Sequence, residues 1–245
     1  MTDQSAVAKP SGSATQATAQ DQEQKLIECK GVRIPEDRSE LSRKIIKLLS
    51  EENYERKEVA AAQRLLQSDD HVIELGAGIG FMSSLAGHIC TEGEVHTFEA
   101  NPHLLPFIRK VHALNGLTNV NVNHAILGAQ PGTCTFYVRK NLLASSMDPM
   151  DGDDIVTETL VEVRDAAIEM KRIRPTVLIC DIEGAELSVI PMLDLSSLRL
   201  AILEIHPQWI GLDGVNTIFQ TFMNAGFAYQ ARGSEGKVVC FRRVE

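Results

Sequence analysis

The sequence lacks several features that would place it in common protein classes. No apolar run is long enough to span a membrane, and the first residues contain no apolar segment typical of a secretory signal. Positive charge is scarce: 24 Lys and Arg stand against 33 Asp and Glu, for a formal net charge of −9. Proteins that bind nucleic acids are more often basic, because phosphate neutralisation supplies much of their affinity. We therefore expect no membrane span and no nucleic-acid partner.

Paired cysteines are also missing. The five cysteines are scattered along the chain and none forms a CxxC pair. This pattern argues against a zinc site and against a disulfide framework. Cys90 and Cys180 lie in apolar runs, which is typical of small core residues. The expected compartment is the reducing cytoplasm.

Three segments can be distinguished along the 245 residues. Residues 1–24 contain no Leu, Ile or Phe and are predicted to be disordered, because they cannot bury enough apolar surface to offset the entropy of ordering. Residues 25–69 are predicted as an N-terminal helical segment, since Leu41, Ile45 and Leu49 recur at helical spacing. Residues 70–245 are predicted to form the main domain.

The main domain alternates predicted strands and helices. The apolar strands are expected at residues 71–75, 94–99, 119–125, 176–180 and 198–205. Repeated β-α units favour a doubly wound, mainly parallel sheet with helices on both faces. The turn Gly233-Ser234-Glu235-Gly236 adds a C-terminal antiparallel hairpin strand, and the sheet is expected to have seven strands. Polar residues 139–158, which include Ser145 and Ser146, are predicted to form a loop over the site.

A glycine-rich turn follows the first of these strands. It reads Glu74-Leu75-Gly76-Ala77-Gly78-Ile79-Gly80. Glycines let the backbone turn tightly and let a ligand approach the free N–H groups of the next helix. Glu99 ends the second strand, 19 residues beyond Gly80, where a carboxylate can accept both hydroxyls of a ribose. The pattern predicts a nucleotide-like ligand; a tight turn without a ligand is the alternative.

Two details separate the possible ligand classes. Dinucleotide folds favour GxGxxG, whereas this turn reads GxGxG and follows Glu74, so a dehydrogenase is disfavoured. An acidic side chain there would repel a pyrophosphate but can anchor the ammonium and sulfonium end of S-adenosylmethionine. We therefore predict S-adenosylmethionine as the cofactor. Its expected contacts include Glu74, Gly76, Gly78, Gly80 and Glu99.

A second acidic motif ends a later strand. The strand 176–180 leads into Asp181-Ile182-Glu183-Gly184-Ala185-Glu186, with three carboxylates in six residues. The segment Glu204-Ile205-His206-Pro207 ends another strand at the same predicted edge. In open α/β sheets the carboxyl ends of the strands face the ligand crevice. These side chains are therefore candidates for chemistry.

Together these motifs resemble the FkbM family of S-adenosylmethionine-dependent methyltransferases. The matching elements are the D-[IV]-E-G-x-E signature at 181–186, F-E-x-N/P at 98–102, L-N-G-L-x-N-V at 114–120, E-[IV]-H at 204–206 and the pair Tyr54-Glu55. The resemblance covers roughly residues 50–243 and implies the Rossmann-like fold of class I methyltransferases. The chain departs from the family at Glu74, where many members have Asp, and at Val163-Arg164-Asp165, where many have T-L-D. The second departure leaves Asp165 without an assigned role.

The resemblance implies methyl transfer to a hydroxyl of a sugar, glycan or other small metabolite. Because the sulfonium is already electrophilic, the enzyme must position the acceptor and remove its proton. The predicted catalytic residues are Asp181 and His206, as alternative bases, and Glu183, which would orient a hydroxyl. Further cofactor contacts are expected from Tyr54, Ala100, Asn101, Ala125 and Asp181.

Several alternatives stay open at this point. The acceptor could be a nitrogen or a carboxylate, or the chain could be a nucleotide-fold binding protein without catalysis. His206 could simply cap a strand, and Glu186 could orient a substrate hydroxyl or favour the positive end of a helix. Asp181, Glu183 and Glu186 could also hold a divalent cation, although no metal is predicted. The sequence indicates no oligomeric state.

Overall fold

The computed structural model describes residues 25–139 and 155–244. The expected disorder of residues 1–24 lies outside these ranges, as does the expected position of Ser145 and Ser146 over the site. None of the helices in the described ranges combines the length and apolarity needed to cross a bilayer.

The described chain begins with a β-hairpin. Strands β1 (Leu26–Cys29) and β2 (Val32–Pro35) pair antiparallel, and the two residues between them have positive φ, at 50° for Lys30 and 82° for Gly31. Such a two-residue turn matches the right-handed twist of its strands. The prediction of helix over residues 25–69 is therefore wrong for residues 26–35, whose alternating buried residues fit a strand period. Helices α1 (Arg43–Ser50) and α2 (Arg56–Leu65) follow as expected.

A seven-stranded sheet forms the centre of the described chain. Its strands, in spatial order, are β5 (Val120–Asn123), β4 (Val95–Phe98), β3 (Val72–Leu75), β9 (Val177–Cys180), β10 (Leu200–Glu204), β12 (Val238–Arg243) and β11 (Phe227–Tyr229). The first five run parallel, and β12 is antiparallel to both of its neighbours. The predicted mainly parallel sheet with a C-terminal antiparallel strand is confirmed.

Helices cover both faces of this sheet. They are α3 (Phe81–Ile89), α4 (Leu105–Leu114), α5 (Ala166–Ile173), α6 (Glu186–Val189) and α7 (Pro207–Asn224). Alternate residues of one strand enter opposite cores: Val177 packs with α1, α2 and α3, whereas Leu178 packs with α5 and α7. Burial on both faces explains why the parallel strands are continuous apolar runs.

A separate three-stranded sheet lies beyond β5. It contains β6 (Ile126–Gly128), β7 (Gly132–Arg139) and β8 (Ile155–Asp165), with β8 between the other two. The prediction of a loop over residues 139–158 is wrong at residue 139, which ends β7, and at residues 155–158, which belong to β8. Polar residues of β8 face solvent on this small sheet, so polarity alone did not distinguish strand from loop. Residues 140–154 lie outside the described ranges.

Candidate functional site

The glycine turn lies at the carboxyl end of β3. Gly76, Gly78 and Gly80 all have positive φ, which glycine adopts without a steric penalty. A side chain on Gly76 would also collide with the backbone carbonyl of Asp181, 1.9 Å from the Cβ position. The two motifs found in the sequence, the glycine turn and the acidic hexapeptide, are therefore in direct contact.

Glu99 joins the end of β4 to this turn. Its Oε2 accepts a hydrogen bond from the Gly78 N–H at 3.0 Å, and its Oε1 accepts one from the Asn101 N–H at 2.8 Å. Burial raises the pKa of Glu99 to about 7, although both hydrogen bonds favour the ionised form. The carboxylate is thus held beside the turn, where the sequence predicts a ribose.

Glu74 is buried at the same end of the sheet. It is 1% exposed, and neither carboxylate oxygen has a hydrogen-bond partner among the described residues. Burial raises the pKa of Glu74 to about 7, although the nearby hydroxyls of Thr97 and Ser83 partly offset this effect. Because a buried charge without a partner is costly, this position favours a ligand that is cationic or donates hydrogen bonds.

A pocket opens beside Glu74 and the glycine turn. Its wall carries five carboxylates, from Glu55, Glu58, Glu74, Asp181 and Glu204. Burial raises the pKa of Glu55 well above its ordinary value, and it also raises the pKa of Glu58. Such a concentration of acidic groups in one pocket favours a positively charged ligand.

Tyr54 packs behind the wall of this pocket. Its ring meets Phe81 edge-on, with 5.4 Å between ring centroids, and the residue is buried. Burial, and next the neighbouring Glu55, raise the pKa of the Tyr54 phenol well above its ordinary value. Glu55 has a left-handed backbone (φ 43°) just before α2, a conformation that costs energy for a residue other than glycine. Of the pair matched from the sequence, Glu55 lines the pocket and Tyr54 supports it.

The acidic hexapeptide meets the end of β10 at His206. The His206 Nδ1 lies 2.5 Å from Glu186 Oε1. The other ring nitrogen, Nε2, lies 3.6 Å from Glu183 Oε2, 3.7 Å from Asp181 Oδ1 and 3.9 Å from Glu204 Oε2. Because an ionised carboxylate only accepts hydrogen bonds, the Glu186 contact assigns a hydrogen to Nδ1 and leaves Nε2 facing the other three groups.

The pKa values of two groups in this cluster are raised. Burial and then the charge of Glu204 raise the pKa of Asp181 to about 7. Burial lowers the pKa of His206, but the hydrogen bond to Glu186 and the nearby carboxylates outweigh it, so this pKa lies above its ordinary value. Groups that titrate near the working pH are the most effective general acids and bases.

The remaining predicted contacts lie outside the pocket wall. The Asn101 Oδ1 accepts a hydrogen bond from the His103 N–H at 3.1 Å. The Ala100 carbonyl lies 3.2 Å from the His124 ring, and Ala125 is buried in the core beneath the sheet. Their roles in cofactor binding stay predictions.

Sequence reasoning missed Glu58 and Glu204 as pocket residues. Glu204 belongs to the matched E-I-H element and ends β10 beside β9, so its position in the motif was an available signal. Glu58 lies on α2, which packs against β10, and no local pattern reveals that packing. Glu186, which could have been a helix-end charge, is instead completely buried against His206.

The doubly wound sheet and the glycine turn are those of the Rossmann-like class I methyltransferases, whose methyl donor is S-adenosylmethionine. Residues 74–229 match the model of one family in this class, described as the methyltransferase FkbM domain. The match covers more than half of the chain, and the chain belongs to this family. It is an S-adenosylmethionine-dependent methyltransferase.

Solved structures with a similar fold come from distant proteins. The precorrin-6y C5,15-methyltransferase of Geobacter metallireducens GS-15 is 18% identical over 76% of this chain and 85% of its own, with a TM-score of 0.42. The ribosomal protein L11 methylase of Lactobacillus delbrueckii subsp. bulgaricus is 15% identical over 79% and 80%, with a TM-score of 0.44. Aeropyrum pernix fibrillarin with natively bound S-adenosyl-L-methionine is 11% identical over 75% and 72%, with a TM-score of 0.43. No curated protein matches the sequence, and none of these similarities indicates an acceptor.

Proposed function

We propose that this protein transfers the methyl group of S-adenosylmethionine to a hydroxyl of a sugar, glycan or other small metabolite. One observation carries the proposal: Asp181 belongs both to the acidic pocket and to the His206 cluster, with its Oδ1 3.7 Å from His206 Nε2. A methyl donor bound in the pocket would therefore have groups able to take a proton directly beside it. A hydroxyl acceptor requires such groups, because its oxygen is a poor nucleophile while protonated.

The cofactor is expected to lie across the carboxyl ends of β3 and β4. In this proposal the glycine turn and Glu99 hold the nucleoside, and the carboxylates of the pocket hold the methionine end. The oxygens of Glu74 without a hydrogen-bond partner support this orientation. The ammonium and sulfonium of the cofactor would be the cationic partner of this buried carboxylate. The further contacts are proposed to be Tyr54, Ala100, Asn101 and Ala125.

The acceptor is expected to lie against Asp181, Glu183 and His206. During transfer the acceptor oxygen forms a bond to the methyl carbon while the carbon–sulfur bond breaks and its electrons return to sulfur. The hydroxyl proton passes to Asp181 or His206, the two members of the cluster whose pKa values are raised. A carboxylate acceptor is disfavoured, because four carboxylates already surround His206 and would repel it.

The test is methyl transfer from labelled S-adenosylmethionine to matched panels of polyols and sugars, primary amines and carboxylic acids. We expect labelled ethers from the hydroxyl panel. Asp181→Asn and His206→Gln should each lower turnover by about 10²- to 10⁴-fold, the usual contribution of a general base. Exposed Glu162 on β8 offers a control, and Glu162→Gln should match the unaltered protein.

The affinity for the cofactor distinguishes a loss of catalysis from a loss of cofactor binding. Titration calorimetry with S-adenosylhomocysteine should give similar affinities for His206→Gln and the unaltered protein, because His206 lies on the acceptor side of the pocket. Transfer confined to amines, or unchanged turnover in both variants, would reject the proposed reaction.

A further inference from the structure

We propose that Asp181, Glu204 and His206 form a binding site for one divalent cation. One ligand atom from each residue lies within 4.8 Å of the other two. The His206 Nε2 lies 3.7 Å from Asp181 Oδ1 and 3.9 Å from Glu204 Oε2. Ligand atoms that share an ion at about 2.0–2.3 Å are separated by about 3–4.5 Å, so these distances allow one ion to contact all three.

The environment of His206 distinguishes this cluster from a solvated acidic patch. His206 is 3% exposed, and its Nδ1 donates to Glu186, which is completely buried. Metal-bound histidines almost always donate their second ring N–H to a carboxylate or carbonyl, which fixes the tautomer and leaves the other nitrogen free for the ion. Here that nitrogen is Nε2, which makes no hydrogen bond to any described residue. Glu186 therefore holds the histidine and is not itself a ligand.

Asp181 gives an independent indication of a missing partner. Its Oδ1 is buried and has no hydrogen-bond partner among the described residues, and this is the oxygen 3.7 Å from His206 Nε2. Buried carboxylate oxygens are usually satisfied by a donor or a cation. The atom without a partner thus points towards the same position as the free nitrogen of His206.

The charges around this position also favour an ion. Glu183 Oε2 lies 3.6 Å from His206 Nε2, so with Glu186 four carboxylates surround one imidazole. A proton on Nε2 would add one positive charge, whereas a divalent cation in its place would add two. One imidazole and two carboxylates suit Mn²⁺ or Zn²⁺, because nitrogen ligands favour Zn²⁺ and carboxylates favour Mn²⁺ and Mg²⁺.

Such an ion would have a direct use in methyl transfer. It would bind the acceptor oxygen and lower the pKa of the hydroxyl. Because Asp181 and His206 would then be ligands of the ion, the proton would pass to the partly exposed Glu183 instead of to either of them. Only this last step rests on the proposed function. Cation binding can be measured without an acceptor.

The experiment is titration of the chelator-treated full chain with Mn²⁺, followed by calorimetry and by the electron paramagnetic resonance signal of free Mn²⁺. We expect one saturable site per chain. Glu204→Gln and His206→Gln should each weaken binding at least about 10-fold, and Glu186→Gln should weaken it about 10- to 100-fold, as for other residues that orient a metal ligand. Glu162→Gln should have no effect, and thermal unfolding should show that each variant is folded.

The outcomes separate this site from the proposed reaction. Weak binding of several ions that Glu204→Gln and His206→Gln leave unchanged would overturn the cation site, as would the absence of saturable binding. Methyl transfer to a hydroxyl by the chelated protein, at an unchanged rate, would overturn the role of the ion and leave the reaction class intact. One Mn²⁺ bound without any hydroxyl transfer would support the site and contradict the reaction.

Discussion

Buried carboxylates at the two ends of the central sheet differ in their hydrogen-bond partners. At the amino end, just before β3, Asp70 is 2% exposed and has several partners. It accepts hydrogen bonds from the Arg199 guanidinium, from Thr176 Oγ1 at 2.7 Å and from the Gln67 N–H at 2.8 Å. At the carboxyl end of the same strand, Glu74 is equally buried, but neither of its oxygens has a hydrogen-bond partner within residues 25–139 and 155–244. The two carboxylates therefore differ in their hydrogen-bond partners and not in their burial.

A cation at the amino end of the sheet, Arg243, is also paired within the protein. A surface groove there is lined in part by Leu195, Ala225 and Arg243. The Arg243 guanidinium already donates to backbone carbonyls of Leu195 and Ala225 and lies over the Phe227 ring, 4.4 Å from its centroid. The guanidinium is therefore paired within the fold, and the exposed Asp194 of the same groove accepts a hydrogen bond from the Ser196 N–H.

The largest expected effect is at the amino end of the sheet, where the buried Asp70 has hydrogen-bond partners. Asp70→Asn should lower the free energy of unfolding by about 3 kcal/mol, because it leaves Arg199 without its carboxylate. The value lies at the low end of the range for buried pairs, since the Arg199 side chain is 28% exposed. Urea unfolding measures the change, with Asp69→Asn as an exposed neighbouring control. Calorimetry should find the affinity for S-adenosylhomocysteine unchanged; a large loss of affinity would break the distinction between the two ends.

A smaller effect is expected from the carboxyl end, and it depends on pH. Glu74 has a pKa of about 7 in the fold and about 4.3 in an unfolded chain. Between these values the folded state binds more protons than the unfolded state, so the free energy of unfolding falls as pH rises. Glu99 and Asp181, with pKa values also raised to about 7, act in the same direction. The cofactor-free protein should therefore be less stable at pH 8 than at pH 5.5.

The variant Glu74→Gln measures the contribution of Glu74 to this pH dependence of stability. The variant should lose less stability between pH 5.5 and pH 8, as measured by urea unfolding at both values. It should also bind S-adenosylmethionine about 10- to 100-fold more weakly, the usual cost of removing a charged hydrogen-bond partner. Asp70→Asn is the matched control for affinity. An unchanged pH slope together with an unchanged affinity would show that Glu74 neither has a raised pKa in the folded protein nor contacts the ligand.

The comparison also shows which parts of the site a sequence can predict. The strand–turn–helix pattern located Gly76, Gly78 and Gly80, and the β-α alternation placed Glu99 and Asp181 at the same edge of the sheet. Parallel connectivity brings the carboxyl ends of strands together, so these residues needed no knowledge of side-chain packing.

Other features depend on contacts that spacing does not encode. The hydrogen bond between Glu186 and His206 joins groups that follow two different strands and forms only when those strands are adjacent. Glu58 enters the pocket because α2 packs against β10. The β1–β2 hairpin depends on positive φ at Lys30, a conformation that residue type does not predict for lysine.

The smallest expected effect is at Asp165, a carboxylate that has a hydrogen-bond partner within the fold. It ends β8 and caps α5, since its Oδ1 accepts a hydrogen bond from the Ile168 N–H at 3.0 Å. Asp165→Ala should lower the free energy of unfolding by about 1 kcal/mol, and Asp165→Asn should restore most of the loss because asparagine also caps helices. Urea unfolding measures both variants, and calorimetry with S-adenosylhomocysteine should show no change in affinity. Reduced cofactor affinity at unchanged stability would instead mean that a carboxylate that caps a helix can still contact the ligand. Asp165 would then join the site despite its departure from the family pattern.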